Sequence, residues 1–579
     1  MLKTNKEDSL DKKRQELNLK EEKLLGFAKV AWNKTMRDLY YPPLKEPRYI
    51  FDYSNNEGFY IDPSIRWQIT MNLANCPILT RDEDYINFFH AISLHEVSHY
   101  QIIPYDGLIN AKLLIAATKH VDQNLAPIVV NLFADLIIDT KLHRRYPQLI
   151  SWQLKVAYKH ILDYQDNHMS NFSRYLFRVY ELLLKITMGD QQIRISEDLN
   201  SLAEKTEKII SKQFEVESLW EKKVSKLAML LKPLLTDTFN LVSKHSKKKK
   251  GIVKIKLPGN KKELMEIPDD VLELMDNPLE SKNIDKLRPQ NVDEIAQKAE
   301  EFAKDVPYSE FGAPATQSGL LLGLDPLATW YRGQAKNLIE IKIYEEIKGD
   351  ELPLCPKIWR LGDPIEDLDV TQSLLTSPVI IPNVTTRKWS QMENKSQLKE
   401  KEIPDLLIVL DSSGSMNWNY KSKHPRGTYH IALIAAFAAL HYVARKGIRF
   451  SVINFSSKAD VCDWTSNYHD AEKTLLQYQG GGTVLPLRAI SNQCRKAHRN
   501  VLVFVITDFG IYNWNASKKT FLRLLEQGHH IVGFFIGSSE IPTSKFKDLL
   551  SKMSFYPVKK SKDLIALVVK EIINHYEGL

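Results

Sequence analysis

The last third of the chain alternates short apolar runs with amphipathic stretches. Four of the runs are almost entirely apolar, as expected of strands that are buried on both faces of a sheet. They are DLLIVLD, RFSVINF, VLVFVIT and HIVGFFIG. Helical stretches such as TYHIALIAAFAALHYVARKG lie between them, and this alternation predicts a doubly wound α/β sheet. In such a sheet, ligands bind beyond the carboxyl ends of the strands.

Apolar residues recur at helical spacing near the N-terminus. The segment YINFFHAISLHEVSHYQII has this spacing and ends before Pro104, which cannot continue the amide ladder of a helix. A second apolar helix is predicted over about residues 125–142. There the sequence NLFADLIIDTKL places Asn131, Asp135 and Asp139 four residues apart, on one face. Buried carboxylates are costly, so this spacing requires a structural or functional reason.

The remaining segments suggest a scaffold and connectors. Long amphipathic stretches such as SRYLFRVYELLLKI predict helices in the centre of the chain, and polar, proline-punctuated sequence after them predicts a linker. The predicted division is a charged tail or helix over 1–24, a mainly helical domain over 25–150, a helical scaffold over 151–243, a Lys-rich and acidic linker over 244–325, a helix with an extended connector over 326–400, and the α/β domain over 401–579.

Composition is typical of a globular protein. Apolar residues form 43% and charged residues 26% of the 579 residues. No apolar run is long enough to span a membrane, and the first twenty residues lack the apolar segment of a secretory signal, so we expect a cytoplasmic protein without a membrane partner. The four cysteines are widely spaced without a CxxC pair, which argues against a disulfide framework or a thiolate zinc site.

The net charge of +8 is small for this length, and much of the local excess lies in one lysine-rich run. No aromatic residue is interleaved in this run, so we interpret it as a solvated loop and do not expect nucleic-acid binding. Contact with an acidic partner is the alternative. The run extends from Lys247 to Lys250 and continues at Lys254, Lys256, Lys261 and Lys262.

Five oxygen-bearing side chains fall at the carboxyl ends of strands or at the entry to a helix in the α/β region. They are Asp411 at the end of the first strand, Ser413 and Ser415 just after it, Thr483 after a glycine triplet, and Asp508 after the third strand. The carboxyl ends of parallel strands share one edge, so we expect these side chains to lie together. Carboxylates and hydroxyls are hard donors that suit Mg²⁺ or Mn²⁺. Such an ion keeps waters, one of which a carboxylate from another protein can replace.

The predicted helix near the N-terminus contains the zinc-binding pattern HEVSH. Four residues are slightly more than one helical turn, so His95 and His99 point to the same side, with Glu96 beside them. A Zn²⁺ ion held there would acidify its bound water and polarise a peptide carbonyl, while Glu96 would take the proton of the water. A histidine pair without metal and a bound zinc without proteolysis are the alternatives.

The α/β region resembles a known family in its sequence motifs. DSSGS, a Gly-Gly-Thr and a strand-ending Thr-Asp, in this order, look like the von Willebrand factor A (VWA) domain with a complete metal-ion-dependent adhesion site. Where that family commonly has Gly after the distal aspartate, this chain has Phe509 before Gly510. The resemblance implies that the ligands of the metal are Asp411, Ser413, Ser415, Thr483 and Asp508.

The two N-terminal helices resemble the gluzincin branch of metallopeptidases. In that branch an acidic zinc ligand is followed four residues later by an aspartate that hydrogen-bonds a ligand histidine. The resemblance implies that Asp135 binds zinc and that Asp139 orients His95. The chain departs from the family pattern because Asp, not the usual Glu, stands at the ligand position.

Other residues remain candidates for these roles. The third zinc ligand could instead be Asp106, His120 or His143, with Asp135 an ordinary carboxylate in the helix interior. Spacing alone identifies no residue that would stabilise an oxyanion. Tyr100 and His120 are the candidates for this role.

The two ends of the chain together resemble the VWA-like metallopeptidase proteins of bacteria and archaea. The resemblance implies a multidomain fold with a mainly α zincin-like N-terminal domain, a central α-helical region and a C-terminal VWA domain. It further implies a zinc-dependent metallopeptidase whose VWA domain recruits a protein partner or substrate. Soluble VWA proteins of this kind typically work beside MoxR-type AAA+ ATPases, and this chain has no GxxxxGK[ST] phosphate loop itself. The alternative is a non-catalytic VWA adaptor for such an ATPase in protein remodelling or cofactor insertion.

Overall fold

Two units divide the chain in the computed structural model. The first comprises Met1–Phe302 with Glu310–Pro326, and the second comprises Ala303–Ser309 with Leu327–Leu579. A mainly helical N-terminal region followed by an α/β region is confirmed. The structure describes residues 4–53, 58–62, 67–164, 169–189, 193–243, 252–256, 263–268, 270–271, 292–321, 323–347, 355–390, 403–421, 427–508, 510–537, 549, 552–558 and 561–576.

The elements before residue 318 are mostly helices. The helices are α1 (Thr4–Asp38), α2 (Asp82–Gln101), α3 (Gly107–Thr118), α4 (Ala126–Arg145), α5 (Pro147–Tyr164), α6 (Asn171–Leu184), α7 (Glu197–Ser211), α8 (Trp220–Thr238), α9 (Val292–Lys304) and α10 (Tyr308–Gln317). The strands are β1 (Arg48–Ile50), β2 (Phe59–Asp62), β3 (Gln68–Asn72), β4 (Asn240–Ser243), β5 (Ile252–Lys256) and β6 (Glu263–Pro268). They form two small sheets, with the orders β1-β3-β2 and β4-β6-β5.

Helices α2 and α4 contact each other and carry the candidate zinc ligands. α2 begins with Asp82, Glu83 and Asp84, whose negative charges interact favourably with the positive end of the helix dipole. α4 has Pro127 in its first turn, where the missing N–H of proline would have no helical partner. Most of α4 is buried, so its polar side chains need partners inside the unit.

Helix α1 includes most of the charged segment over residues 1–24, which we predict to be a tail or a helix. It is continuous from Thr4 to Asp38, so the predicted boundary at residue 25 falls inside a helix. Its first half is rich in Lys, Glu and Leu, which have high helix propensity, and no proline interrupts it. Of the two predicted possibilities, a tail or a helix, the charged sequence from Thr4 onwards forms the helix.

Regular elements also occur within residues 244–325, where we predict a linker. Strands β5 and β6 and helices α9 and α10 lie there, and Met265 and Ile267 of β6 are buried. We predict a linker there because these strands are short and contain alternating polar residues, as a loop does. The lysines at 247–250, 261 and 262 and most of the acidic segment lie outside the described residues.

From residue 326 onwards the chain forms an α/β structure with a preceding helix and hairpin. The helices are α11 (Pro326–Ile347), α12 (Val370–Thr376), α13 (Thr428–Arg445), α14 (Tyr468–Leu475), α15 (Leu487–Lys496), α16 (Trp514–Glu526) and α17 (Ser561–Tyr576). The strands are β7 (Cys355–Ile358), β8 (Arg387–Ser390), β9 (Asp405–Asp411), β10 (Phe450–Phe455), β11 (Ala459–Thr465), β12 (Val501–Thr507), β13 (His530–Ile536) and β14 (Ser554–Val558). β7 and β8 pair with each other, within the passage predicted to be extended.

The main sheet has the strand order β11-β10-β9-β12-β13-β14. Its strands are parallel except β11, which is antiparallel to β10. Helices α15 and α16 pack on one face, against residues that include Leu407 and Val505, and α13 and α17 contact strands as well as each other. The strand order reverses between β9 and β12, and this reversal opens a crevice at their carboxyl ends. Asp411 is the last residue of β9 at that crevice.

A buried ion pair connects α11 to the helices of the α/β structure. Arg332 donates from Nε to Glu472 Oε1 at 2.7 Å and from Nη2 to Oε2 at 3.1 Å. His441 Nε2 also lies 2.7 Å from Glu472 Oε1. Burial raises the pKa of Glu472, but His441, His469 and Arg332 outweigh it and hold the pKa at about 2. The carboxylate therefore stays ionised although it is buried.

We expect Arg332→Gln to lower the free energy of unfolding of this region by about 3–5 kcal/mol, because the mutation leaves a buried carboxylate without its bidentate partner. Chemical denaturation followed by circular dichroism measures the change. The control is Arg523→Gln, which removes only an exposed contact at 3.4 Å to Ser491 and should change stability by less than about 0.5 kcal/mol. Equal effects of the two substitutions would contradict the role given to Arg332.

Candidate metal centres

Two helices bring three potential ligands to one point in the N-terminal unit. His95 and His99 project from α2, and Asp135 projects from α4. The Oδ1 atom of Asp135 lies 3.5 Å from His95 Nε2 and 3.4 Å from His99 Nε2. Two ligand atoms bonded to a tetrahedral zinc at about 2.1 Å are about 3.4 Å apart. The ligand atoms of the three side chains, each within 4.8 Å of the others, thus form a group that could hold a metal ion.

Hydrogen bonds fix the direction of both imidazoles. His95 Nδ1 lies 2.7 Å from Asp139 Oδ1, and His99 Nδ1 lies 3.1 Å from the carbonyl oxygen of Ile103. A carboxylate and a carbonyl can only accept, so each Nδ1 carries the proton and each Nε2 faces Asp135. This is the usual orientation of metal-binding histidines, whose second nitrogen donates to a neighbouring group.

The two aspartates of α4 have different surroundings. Asp139 accepts a second hydrogen bond at Oδ2, from the hydroxyl of Tyr180 at 2.6 Å. Asp135 accepts at Oδ2 from Asn131 Nδ2 at 3.1 Å, whereas its buried Oδ1 receives no hydrogen bond of good geometry from the described residues. A buried carboxylate oxygen aimed at two imidazole nitrogens fits a metal ligand.

Charges in the site favour binding of a cation. Burial lowers the pKa of His95, but the carboxylates of Asp139 and Asp135 outweigh it and hold the pKa well above 6.5. Burial raises the pKa of Asp135, but His95 and His99 outweigh it, and the pKa lies below its ordinary value. A metal binds the deprotonated nitrogen of a histidine, so a divalent metal would displace any proton held at His95 Nε2.

Glu96 shares a cavity with two of the three potential ligands, His95 and Asp135. This buried carboxylate belongs to α2 and lines a cavity of about 340 Å³ together with His95, Asp135, Asp139 and Tyr180. The same cavity borders strand β2 and helices α5 and α6. A carboxylate beside a metal in a partly enclosed cavity is placed to accept a proton from a bound water.

We expect Asp139→Asn to weaken zinc binding about 10- to 100-fold, because an amide holds the protonated Nδ1 of His95 less strongly than a carboxylate does. Competition with a chromophoric chelator measures the affinity. Asp163→Asn, on an exposed part of α5, is the control and should have no effect. An unchanged affinity in Asp139→Asn would contradict the orienting role of Asp139.

The other residues considered from the sequence lie elsewhere. Asp106 caps α3 through the amide of Leu108 and pairs with a lysine. His120 Nε2 and His143 Nε2 each lie 3.0 Å from a serine hydroxyl. The ring of Tyr100 packs edge-on against a tryptophan. None of these four residues is among the described residues that line the cavity. Tyr180 was not predicted from the sequence, since nothing in the apolar face of α6 links it to α4.

The second candidate centre begins at the carboxyl end of β9. Asp411 Oδ1 accepts a hydrogen bond from the amide of Ser413 at 2.9 Å, and Asp411 Oδ2 accepts one from the hydroxyl of Thr507 at 2.6 Å. The hydroxyls of Ser413 and Ser415 are 3.1 Å apart. Burial, with a contribution from the nearby charge of Asp508, raises the pKa of Asp411. A cation among these groups would offset that unfavourable burial.

The two remaining predicted ligands approach the same neighbourhood. A Cβ atom placed on Gly510 would be 3.6 Å from Asp508 Oδ1 and 3.7 Å from Thr483 Oγ1, so both side chains border this glycine. The amide of Gly414 donates to the carbonyl oxygen of Gly481 at 2.9 Å, which joins the serine loop to the glycine-rich loop before Thr483. The described contacts therefore hold the loops together at one edge of the sheet. Phe509, where the chain departs from the family pattern, lies outside the described residues.

Comparison with known proteins gives little further information. No protein-family model matches the sequence, and no curated protein is similar to it. Among solved structures, the pilus adhesin SpaC of Lactobacillus rhamnosus GG matches with 15% identity and a TM-score of 0.25, over 31% of this chain and 31% of the adhesin. The chain thus spans less than a third of that adhesin. A likeness this weak supports no inference about fold or function.

Within the described residues, no helix combines the length and the apolar character that crossing a bilayer requires.

Proposed function

We propose that the protein is a zinc-dependent metallopeptidase with a zincin-like N-terminal domain and a C-terminal VWA domain that recruits a protein partner or substrate. The observation that carries the peptidase proposal is the position of Asp135 Oδ1, 3.4 and 3.5 Å from the two imidazoles of the HExxH pattern. Glu96, the expected base, borders the same cavity. These features support a site where a metal and a base act on one bound water.

The donor set of two imidazoles and one carboxylate fits zinc, with His95, His99 and Asp135 as its ligands. When bound, zinc lowers the pKa of its water and polarises a carbonyl group. Glu96 would accept a proton at its carboxylate and later give it to the leaving amine. Asp139, held by the hydroxyl of Tyr180, would keep the proton of His95 on Nδ1.

The proposal for the C-terminal domain is supported by the placement of its oxygen donors. Asp411, Ser413 and Ser415 lie together at the end of β9, and the described loop contacts hold the glycine-rich loop against them. We propose that they bind Mg²⁺ or Mn²⁺ together with Thr483 and Asp508. A carboxylate of another protein would complete the coordination. A MoxR-type AAA+ ATPase, or its client, is the proposed partner.

The peptidase proposal is tested by incubating zinc-loaded protein with fluorescently labelled casein, an unfolded substrate. We expect cleavage that a chelator stops and added zinc restores. A clean, zinc-loaded protein that cleaves neither casein nor its AAA+ partner would remove the enzymatic part of the proposal.

A further inference from the structure

The second unit carries a segment whose surface is rich in apolar side chains. This segment, residues 355–390, contains the hairpin of β7 and β8 and the short helix α12, and we call it the hairpin module. Ten of the 21 large apolar side chains that are exposed among the described residues lie in it, between Ile358 and Val384. Leu361 is 70% exposed and Leu375 is 77% exposed. Single apolar residues on a surface are ordinary, but such a concentration indicates an interaction site.

Polar groups fill the interior of the hairpin module. Among its described side chains, only those of Trp359, Ser373 and Thr386 are buried. Thr386 Oγ1 donates to the carbonyl oxygen of Trp359 at 2.7 Å, and Ser373 Oγ accepts from the amide of Arg387 at 2.7 Å. Hydrogen bonds thus hold the module together, while most of its aliphatic side chains are exposed. A free-standing domain has the reverse arrangement, with apolar side chains in its core.

Hydrogen bonds also bring the exposed apolar residues close to one another. The amide of Leu361 donates to Asn383 Oδ1 at 2.8 Å, which joins the loop after β7 to the apolar run that precedes β8. The hydroxyl of Thr385 donates to the carbonyl oxygen of Val379 at 2.8 Å and accepts from the amide of Ile381 at 2.6 Å. The two apolar loops therefore form one neighbourhood on the module.

The exposed area is large enough for a stable interface. The ten apolar residues together expose on the order of 1,000 Å², which exceeds the about 300–600 Å² of the largest apolar patch on a typical monomer. Each partner in a standard interface contributes about 800 Å². In addition, β7 and β8 pair with no third strand among the described residues, and an isolated two-stranded hairpin is only marginally stable in water. Association would cover the apolar surface and stabilise the hairpin.

The charge of the module favours a second copy of the same chain as the partner. The module contains four basic and four acidic residues and has no net charge, whereas the whole chain carries +8. Two copies of a neutral surface do not repel each other, and groups of opposite sign can face each other across a two-fold axis. A strongly acidic or basic partner would meet no field of opposite sign there.

We propose that the hairpin module is a self-association surface through which two copies of the chain form a symmetric dimer. A two-fold interface uses the same patch on both copies, so the apolar residues of both modules are covered at once. For an interface of about 1,600 Å² in total, we expect a dissociation constant of about 1 µM or below. The dimer persists at high salt, because salt screens interactions between charges and not apolar contacts.

Analytical ultracentrifugation of the full chain tests the proposal. We expect the wild type at about 10 µM to sediment with the mass of two chains, both in low salt and in about 0.5 M NaCl. The double variant Leu361→Glu with Leu375→Glu brings two charges from each copy into the apolar interface. We expect its dissociation constant to be at least about 100-fold higher, because these charges lose hydration without gaining partners. A melting temperature within a few degrees of the wild type confirms that the variant is folded.

Met229→Glu is the matched control. Met229 is 60% exposed on α8, outside the hairpin module, so this variant adds a charge to another exposed apolar position and should remain dimeric. A wild type that is monomeric even at about 100 µM would overturn the proposal. So would a double variant that dimerises as well as the wild type, since the interface would then lie elsewhere.

Two further outcomes would also contradict the proposal. Loss of the wild-type dimer in about 0.5 M NaCl would show that ion pairs and not apolar contacts hold the two copies together. A monomeric wild type that binds labelled casein, with this binding lost in the double variant, would show that the module takes an unfolded polypeptide instead of a second copy.

Discussion

Replacing Glu96 by glutamine is expected to reduce peptide cleavage about 100- to 10,000-fold and to leave the zinc content unchanged. Glutamine has nearly the same shape, but its amide cannot accept a proton at neutral pH. Glu96 is not one of the three proposed zinc ligands, which are His95, His99 and Asp135. The measurement is kcat/KM on a labelled peptide, together with metal analysis of the same sample.

Glu83→Gln provides the control for this experiment. Glu83 lies in the first turn of the same helix, is exposed and is not among the described residues that line the cavity, so the same change of charge occurs outside it. We expect full activity in this variant. Substantial cleavage by Glu96→Gln at full zinc occupancy would exclude Glu96 as the base.

Replacing Asp411 by alanine is expected to weaken Mn²⁺ binding to the C-terminal domain by at least about 100-fold and to abolish binding of the protein partner. Asp411 is fully buried at the end of β9, and none of the described lysines, arginines or histidines forms an ion pair with it. Its carboxylate is thus available to a metal ion, which would in turn bind the proposed carboxylate of the partner. Isothermal titration with Mn²⁺ measures the first effect, and co-purification of a MoxR-type ATPase measures the second.

Ser412→Ala is a matched control for the metal loop. The hydroxyl of Ser412 donates to the carbonyl oxygen of Phe455 at 3.1 Å, so it is turned away from the proposed ligands. We expect this variant to bind Mn²⁺ normally. If Asp411→Ala bound Mn²⁺ as tightly as the wild type, the proposed C-terminal metal site would be wrong.

The two variants together distinguish the peptidase from the adaptor. An adaptor needs its partner but no base, so Asp411→Ala would lose the biological function while Glu96→Gln kept it. A recruited peptidase loses function in both variants. Complementation of a deletion strain with each variant makes this comparison.

The main strands were predictable from the sequence because burial on both faces requires continuous apolar runs. The runs DLLIVLD and VLVFVIT form β9 and β12 over the expected residues. Strand β11 was missed because it lies at the edge of the sheet, where exposed residues such as Asp460 break the apolar pattern. Strand β14 was missed because it contains Pro557, which is tolerated at the opposite edge. Edge strands carry little of the signal that identifies central ones.

Helical periodicity made one part of the candidate zinc site predictable from the sequence. The spacing of four residues placed His95 with His99 and Asp135 with Asp139, and the structure brings the two pairs together between α2 and α4. The contact of Tyr180 with Asp139 depends on the packing of α6, which no local pattern encodes. The small sheet of β1, β2 and β3, whose strand β2 borders the cavity, is made of strands too short to give a clear alternation.

Elemental analysis of purified wild type and His95→Ala, measured side by side, tests most directly whether the N-terminal unit holds zinc. We predict about one zinc ion per chain in the wild type and almost none in the variant, with both proteins folded by circular dichroism. Well-folded wild type that contains no zinc, even after reconstitution, would contradict the account and favour the adaptor function.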